Sequence, residues 1–236
     1  MTGFSIIRKH DENHVAGCLI SCSTGYDAAN FMLHQNQPVM IDADLLLSFG
    51  STYKKAAANE VLFREGEECH FYYQLVEGSV RWVNINDEGK EYVQDMIAPG
   101  ESLGEMPLFD DGPYAATAIA NKESILLRLQ KHHFHQLLKE EPEIHFLFSQ
   151  LLAKRLRFKF LMSKVLASNK PEEKICTLLT YYKINKKFFC SKCNMVQLTR
   201  QQIADMTGLR VETVIRSIRQ LQEKGKLAIA KGRVYF

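Results

Sequence analysis

The sequence predicts an α+β protein made of an N-terminal antiparallel β-roll, a long helix and a C-terminal winged helix-turn-helix. Three observations point there. Gly66, Gly78, Gly89 and Gly100 separate short aromatic and β-branched runs at intervals of 12, 11 and 11 residues, the punctuation of an all-β roll or barrel. A stretch without Gly or Pro then runs over 143–168. Finally, the formal charge of +3 is a sum of unlike parts. Residues 169–236 hold fourteen Lys or Arg against five Asp or Glu, a net +9, whereas the preceding 168 hold sixteen against twenty-two, a net −6. A basic segment of domain size suggests a polyanionic partner.

Taken in order, residues 1–31 show no sustained period and read as a poorly ordered leader; Met32 could equally begin the sensor domain, 32–142. Asp42–Phe49 reads as a short capped helix. Val61–Phe63, Phe71–Val76, Ser79–Ile85 and Glu91–Ile97 read as strands. A further strand pair, Ala115–Ala120 and Ser124–Leu129, follows a connection containing Pro113. This spacing alone also fits a β-sandwich without a ligand.

Helical periodicity begins at His132, and a short helix is expected to stop near Pro142. In the long segment, Leu147, Leu151, Lys154, Phe158, Leu161 and Val165 recur at steps of 4, 3, 4, 3 and 4. Such a heptad seam suits a parallel helix pair, making 143–168 a dimerisation helix, although the same stripe could pack on the β domain. Apolar residues exceed one face, which two partners, the roll and a second subunit, would explain.

Asn169-Lys170-Pro171 opens the basic domain, 169–236. Thr199 followed by Gln202 is a capping box for a first helix to about Met206. Thr207-Gly208-Leu209 supplies a turn, and a second helix runs from Val211 to a stop near Gly225. Val214, Ile218 and Leu221 pack one side of it, while Glu212, Arg216 and Arg219 project from another. Arg can bond guanine O6 and N7 and Glu can accept from cytosine N4, so the pair can read a G·C base pair. On an arbitrary helix Glu212 and Arg216 would instead be a surface ion pair. The last residues, KLAIAKGRVYF, read as a wing turning at Lys231-Gly232, with its cations on phosphate. The expected DNA contacts are Thr199, Arg200, Gln201, Arg210, Val211, Glu212, Thr213, Arg216, Ser217 and Arg219, with double-stranded DNA as partner.

The segment TRQQIADMTGLRVETVIRSIRQLQEKG resembles the winged helix-turn-helix of the CRP/FNR family of bacterial transcription regulators. GSVRWVN with GKEYVQDMIAPGESLGEMPLF resembles that family's cyclic-nucleotide-binding β-roll, including a G-E-x-x-L-F cassette. The resemblance covers roughly 42–236. It implies a homodimer on a palindromic operator, RNA polymerase as a further partner, and reading of a G·C pair by Glu212 and Arg216. Arg210 stands where the family places a small capping residue, so either the cap is weaker or Arg210 grips phosphate.

The resemblance also places an effector pocket at Gly104, Glu105, Ala115, Ala116, Arg155, Lys159 and Phe160. The family's cyclic-AMP site needs an Arg-Ser pair for the phosphate, which falls on Ala115-Ala116, and a Thr-Ser pair for adenine, which falls on Lys159-Phe160. Without the guanidinium a buried phosphate loses its charge-assisted bonds, which argues against cyclic AMP. Glu105 is then expected to serve backbone hydrogen bonds in the cassette, Arg155 matches a family position, and Lys159 could supply a cation. The pocket could be self-filled or could admit an apolar effector. No metal or cofactor is expected, and haem or another effector stays open. Cys18, Cys22 and Cys69 fit a cluster poorly. Cys190 and Cys193 read as bystander thiols, or alternatively as a disulfide that loosens the hairpin before the DNA motif.

Other function classes fare worse. No G-x4-G-K-[ST], G-x-S-x-G or H-E-x-x-H motif suggests an enzyme. No apolar run is long enough to span a membrane, and six cysteines suit a reducing cytosol. An effector-independent regulator, or a binding module acting on a protein partner, are the remaining alternatives.

Overall fold

The computed structural model describes residues 41–236; the expected leader, with Cys18 and Cys22, lies outside them. Helix α1 (Ala43–Ser48) is capped by the Asp42 carboxylate, which accepts from the Asp44 and Leu45 amides. Two four-stranded antiparallel sheets follow. One has the order β1-β8-β3-β6, from Thr52–Ala56, Ser124–Gln130, Phe71–Glu77 and Ser102–Leu103. The other has the order β2-β7-β4-β5, from Val61–Phe63, Thr117–Ala120, Val80–Ile85 and Glu91–Ile97. A single turn, α2 (Pro107–Asp110), follows β6.

The expected pairing of the strands near 115–120 and 124–129 is corrected here: β7 pairs with β2 and β4, whereas β8 pairs with β1 and β3. The three residues between them turn a corner from one sheet to the other, so both apolar faces close on one core. Tyr72, Leu75, Leu103, Leu126 and Leu129 are fully buried there.

Helix α3 (Lys131–Glu140) ends as expected before Pro142, which opens the long helix α4 (Pro142–Leu166). Phe148 of α4 and Phe134 of α3 pack edge to face, 5.3 Å between ring centroids, and both meet Tyr72. Most of the predicted seam turns inward. Phe158 and Val165 are buried, Leu151, Lys154 and Leu161 half-buried, and Phe158 stacks on Tyr181, whereas Leu147 at the start of the seam is 41% exposed. Exposed instead are Phe146, Ser149, Ala153, Leu156, Phe160 and Ser163, at steps of 3, 4, 3, 4 and 3. Phe160, 69% exposed, leads this outer stripe.

The C-terminal domain consists of α5 (Pro171–Ile184), α6 (Arg200–Thr207), α7 (Val211–Glu223) and the hairpin β9 (Ala228–Ala230) and β10 (Arg233–Tyr235). Its core of Ile175, Leu179, Ile203, Val214, Ile218 and Leu221 is continuous with Val83, Val93 and Met96 of the roll and with Phe158 and Met162 of α4. The DNA-motif domain thus docks on β5. The Tyr182 hydroxyl donates to buried Asp95 at 2.8 Å, and Lys187 pairs with Glu101 at 2.6 Å. Burial acts to raise the Asp95 carboxyl, but Lys187, Arg155 and the Tyr182 hydroxyl outweigh it and hold the group below its ordinary value.

Candidate nucleic-acid interface and sensor pocket

Helix α6 begins with the full capping box. The Thr199 side chain accepts from the Gln202 amide at 3.1 Å, and the Gln202 side chain accepts from the Thr199 amide at 2.9 Å. Gly208 ends the helix at φ 67, a left-handed conformation that favours glycine. The chain then enters α7 at Val211. Val214, Ile218 and Leu221 are buried against the domain, so Glu212, Arg216 and Arg219 face outward. Among the described residues neither Glu212 nor Arg216 belongs to an ion pair within 4 Å. Their charges are free to meet base edges and phosphate, with Thr213 and Val211 half-buried beside them.

Four of the expected contacts have other occupations. Ser217 is corrected: it is 2% exposed and turned into the domain. The Thr199 hydroxyl serves as the cap, and Arg200 donates to the Gly232 carbonyl at 3.3 Å, tying α6 to the wing. Gln201 is exposed and donates to Asp205 at 2.7 Å. Arg210 occupies the N-cap of α7 with no side-chain cap bond and is exposed, which leaves its guanidinium available to phosphate. The wing turns at Lys231 and Gly232, both at positive φ, with Lys231 and Arg233 exposed.

In the roll, Gly104 is at φ 70, and a Cβ there would stand 2.7 Å from the Phe63 ring and 2.8 Å from that of Tyr114. Only glycine fits this approach. Glu105 follows, fully buried. Its side chain does not serve the cassette backbone as expected: Oε1 pairs with the Arg155 guanidinium from α4. Arg155 also donates to the Ser102 carbonyl at 3.0 Å and lies 4.8 Å over the Trp82 ring. Burial opposes the charge on Arg155, but Glu105, Glu101 and Asp95 overcome it and raise the group above its ordinary value. Around this guanidinium, Glu105 Oε2, Ser102 Oγ and Trp82 Nε1 are buried without hydrogen-bond partners. The protein's own cation and indole thus meet inside the roll beside the buried Glu105.

The remaining pocket residues divide. Ala116 is buried and Ala115 exposed, and neither can supply charge. Lys159 donates to the Gln94 carbonyl at 3.0 Å and to its side chain at 2.6 Å, on β5. Phe160 is corrected, since it points away on the outer stripe of α4. Trp82, missed from the sequence, was legible as the sole tryptophan in an inward β4 position. Cys190 and Cys193 lie side by side at a turn, and the hydrogen bond from Cys193 holds the Cys190 thiol below its ordinary value. His135 is bonded to the Leu108 carbonyl at 2.7 Å. Among the described residues no helix is long and apolar enough to cross a membrane.

Known proteins share both halves of this arrangement. Residues 53–141 match the family model of the cyclic nucleotide-binding domain, and 173–235 match that of the Crp-like helix-turn-helix domain. The chain is 26% identical over 193 residues to the cyclic AMP receptor protein of Thermus thermophilus, across 82% of this chain and 87% of that protein. It is 28% identical over 172 residues to the cAMP-activated global transcriptional regulator CRP of Haemophilus influenzae, across 72% of this chain and 77% of that one. Among solved structures, the c-di-GMP-responsive global regulator CLP of Xanthomonas campestris is 22% identical. It shares the fold with a TM-score of 0.66, over 83% of this chain and 99% of that chain.

Proposed function

The chain belongs to the CRP/FNR family of transcription regulators, with a helix-turn-helix DNA-binding domain, and on that premise we propose that it works as a homodimer on a two-fold symmetric operator. The observation that carries this is the free outward face of α7, Glu212, Arg216 and Arg219, inside a domain of net +9. Two such helices, related by a dyad, would enter successive major grooves about one helical turn apart. Arg216 and Glu212 would read one G·C pair per half-site, while Arg210, Lys231 and Arg233 would neutralise phosphate.

The outer stripe of α4 supports the dimer. Phe146, Leu156 and Phe160 are 60%, 57% and 69% exposed, and their heptad spacing with Ser149, Ala153 and Ser163 suits a parallel helix pair. Association would bury this face and set the spacing of the two recognition helices.

The relatives of Thermus thermophilus and Haemophilus influenzae are cyclic-AMP proteins by name; we propose that this chain is not one. The expected place of a ligand anion falls on Ala115 and Ala116, which carry no charge, and Arg155, stacked on Trp82, is already paired with Glu105. A second reading, regulation independent of any effector, is favoured by that internal pairing. Selection of DNA sites with purified protein, with and without added cyclic AMP, tests the proposal. A palindromic consensus with unchanged affinity on adding cyclic AMP is the expected result. An asymmetric or absent consensus refutes the dimeric operator, and affinity that rises with cyclic AMP refutes the reading of the pocket.

A further inference from the structure

Outside the roll, a cavity of about 220 Å³ lies where the sensor, the long helix and the DNA-binding domain meet. Val93 of β5, Phe158 and Met162 of α4, Leu178 of α5 and Met206 of α6 form an apolar wall, every one of them buried. Lys159 stands at its side. The Lys159 ammonium has two acceptors, both from Gln94 and both neutral. Among the described residues no carboxylate lies within ion-pair distance of it. Burial pushes this ammonium below its ordinary value; Asp95 counters that from farther off, and Arg155 adds to it. An ammonium carries three donors, so one is left for a ligand. A partly buried cation against an apolar wall is stabilised by an anion that brings its own apolar body.

We propose that this cavity binds a small amphiphilic carboxylate, with its apolar part among Val93, Met162 and Met206 and its carboxylate on Lys159. At roughly 30 Å³ per water, the space takes about seven waters, or a ligand of the order of ten non-hydrogen atoms. Of the expected effector-pocket residues only Lys159 lines it; Gly104, Glu105, Ala115, Ala116, Arg155 and Phe160 do not. Because one ligand there touches β5, α4, α5 and α6 together, it binds the docked arrangement of the DNA-binding domain better than any arrangement that pulls them apart. It shifts the population accordingly. That regulatory consequence rests on the family reading; the binding itself does not.

Sodium octanoate matches the cavity in size and carries one carboxylate, and octanamide is its neutral counterpart. Titration calorimetry of the full chain with each probe, without DNA, tests the site. Saturable octanoate binding is expected, about tenfold or more weaker for octanamide and for Lys159→Met. Leu166→Trp, at a half-buried position of the lining, should block the cavity while leaving the domain cores intact, and should abolish the heat. Absence of saturable octanoate binding by the wild-type chain overturns the proposal, as does undiminished binding by either folded variant. Since the calorimetry uses no DNA, its failure leaves operator binding standing, and failure of operator binding leaves the calorimetry unaffected.

Discussion

Replacing Arg155 by Leu probes the ion pair inside the roll. Glu105 is fully buried and its Oε2 already lacks a partner; without Arg155, Oε1 loses its ion pair as well. Removing one member of a buried pair costs about 3–5 kcal/mol, because the remaining charge stays buried and uncompensated. The cation–π contact with Trp82 contributes about 0.5–2 kcal/mol of the same sign. For a chain of this size the pair of losses lowers Tm by roughly 7–28 °C. Glu105→Gln with Arg155→Leu removes both charges, so the double variant should recover part of the loss, with a coupling of about 2 kcal/mol or more. Urea unfolding of the four proteins, with matched m values, measures it. A cost below about 1 kcal/mol for Arg155→Leu, or additive single effects, would refute the account of Glu105 and Arg155 as a buried pair.

Two further outcomes follow from other parts of the molecule. Glu at both Leu156 and Phe160 removes about 1.5–3 kcal/mol of apolar burial per side chain from the proposed α4 interface. The dimer dissociation constant should then rise by roughly a hundredfold or more, read by analytical ultracentrifugation; an unchanged constant places the interface elsewhere. Asp95 is held below its ordinary carboxyl value. Its stabilising contribution is therefore present above the unfolded value of about 3.9 and is lost as pH falls through the lower folded value. The Tm gap between wild type and Asp95→Asn should accordingly be widest near neutral pH and shrink in that acid window. A gap independent of pH would show that Asp95 does not carry its charge in the folded state.

How much was legible from sequence differed by element, for physical reasons. The capping box at Thr199, the turn at Gly208 and the start of α7 at Val211 are set by side chains within four residues of each other, and they occur where local chemistry put them. Strand identities in the roll were also readable, yet their pairing was not. β7 and β8 look like a hairpin in sequence, but the corner between them sends each to a different sheet. Short β1 and β6 escaped notice because two to five residues carry too little alternation to register. On α4 the period was right and the partner was undetermined. A heptad stripe specifies that something packs there, and only the three-dimensional approach of Tyr181 shows that Phe158 is taken up within the chain. Ser217 misled for a related reason, since one residue after Arg216 is a rotation of about 100° on a helix. The effector pocket was hardest: its residues come from β4, β6, the cassette and α4, and Trp82 joins Arg155 only when these elements converge.

The central claim is that α7 reads DNA through Arg216. Affinities of wild type and Arg216→Ala for the selected operator, and for operators with each half-site base pair replaced in turn, test it most directly at several salt concentrations. The account predicts a loss of roughly 1–3 kcal/mol per Arg216–guanine contact, with lost discrimination confined to one symmetry-related G·C pair. Equal weakening on every sequence, accompanied by a shallower salt dependence, would contradict it and make Arg216 a phosphate contact.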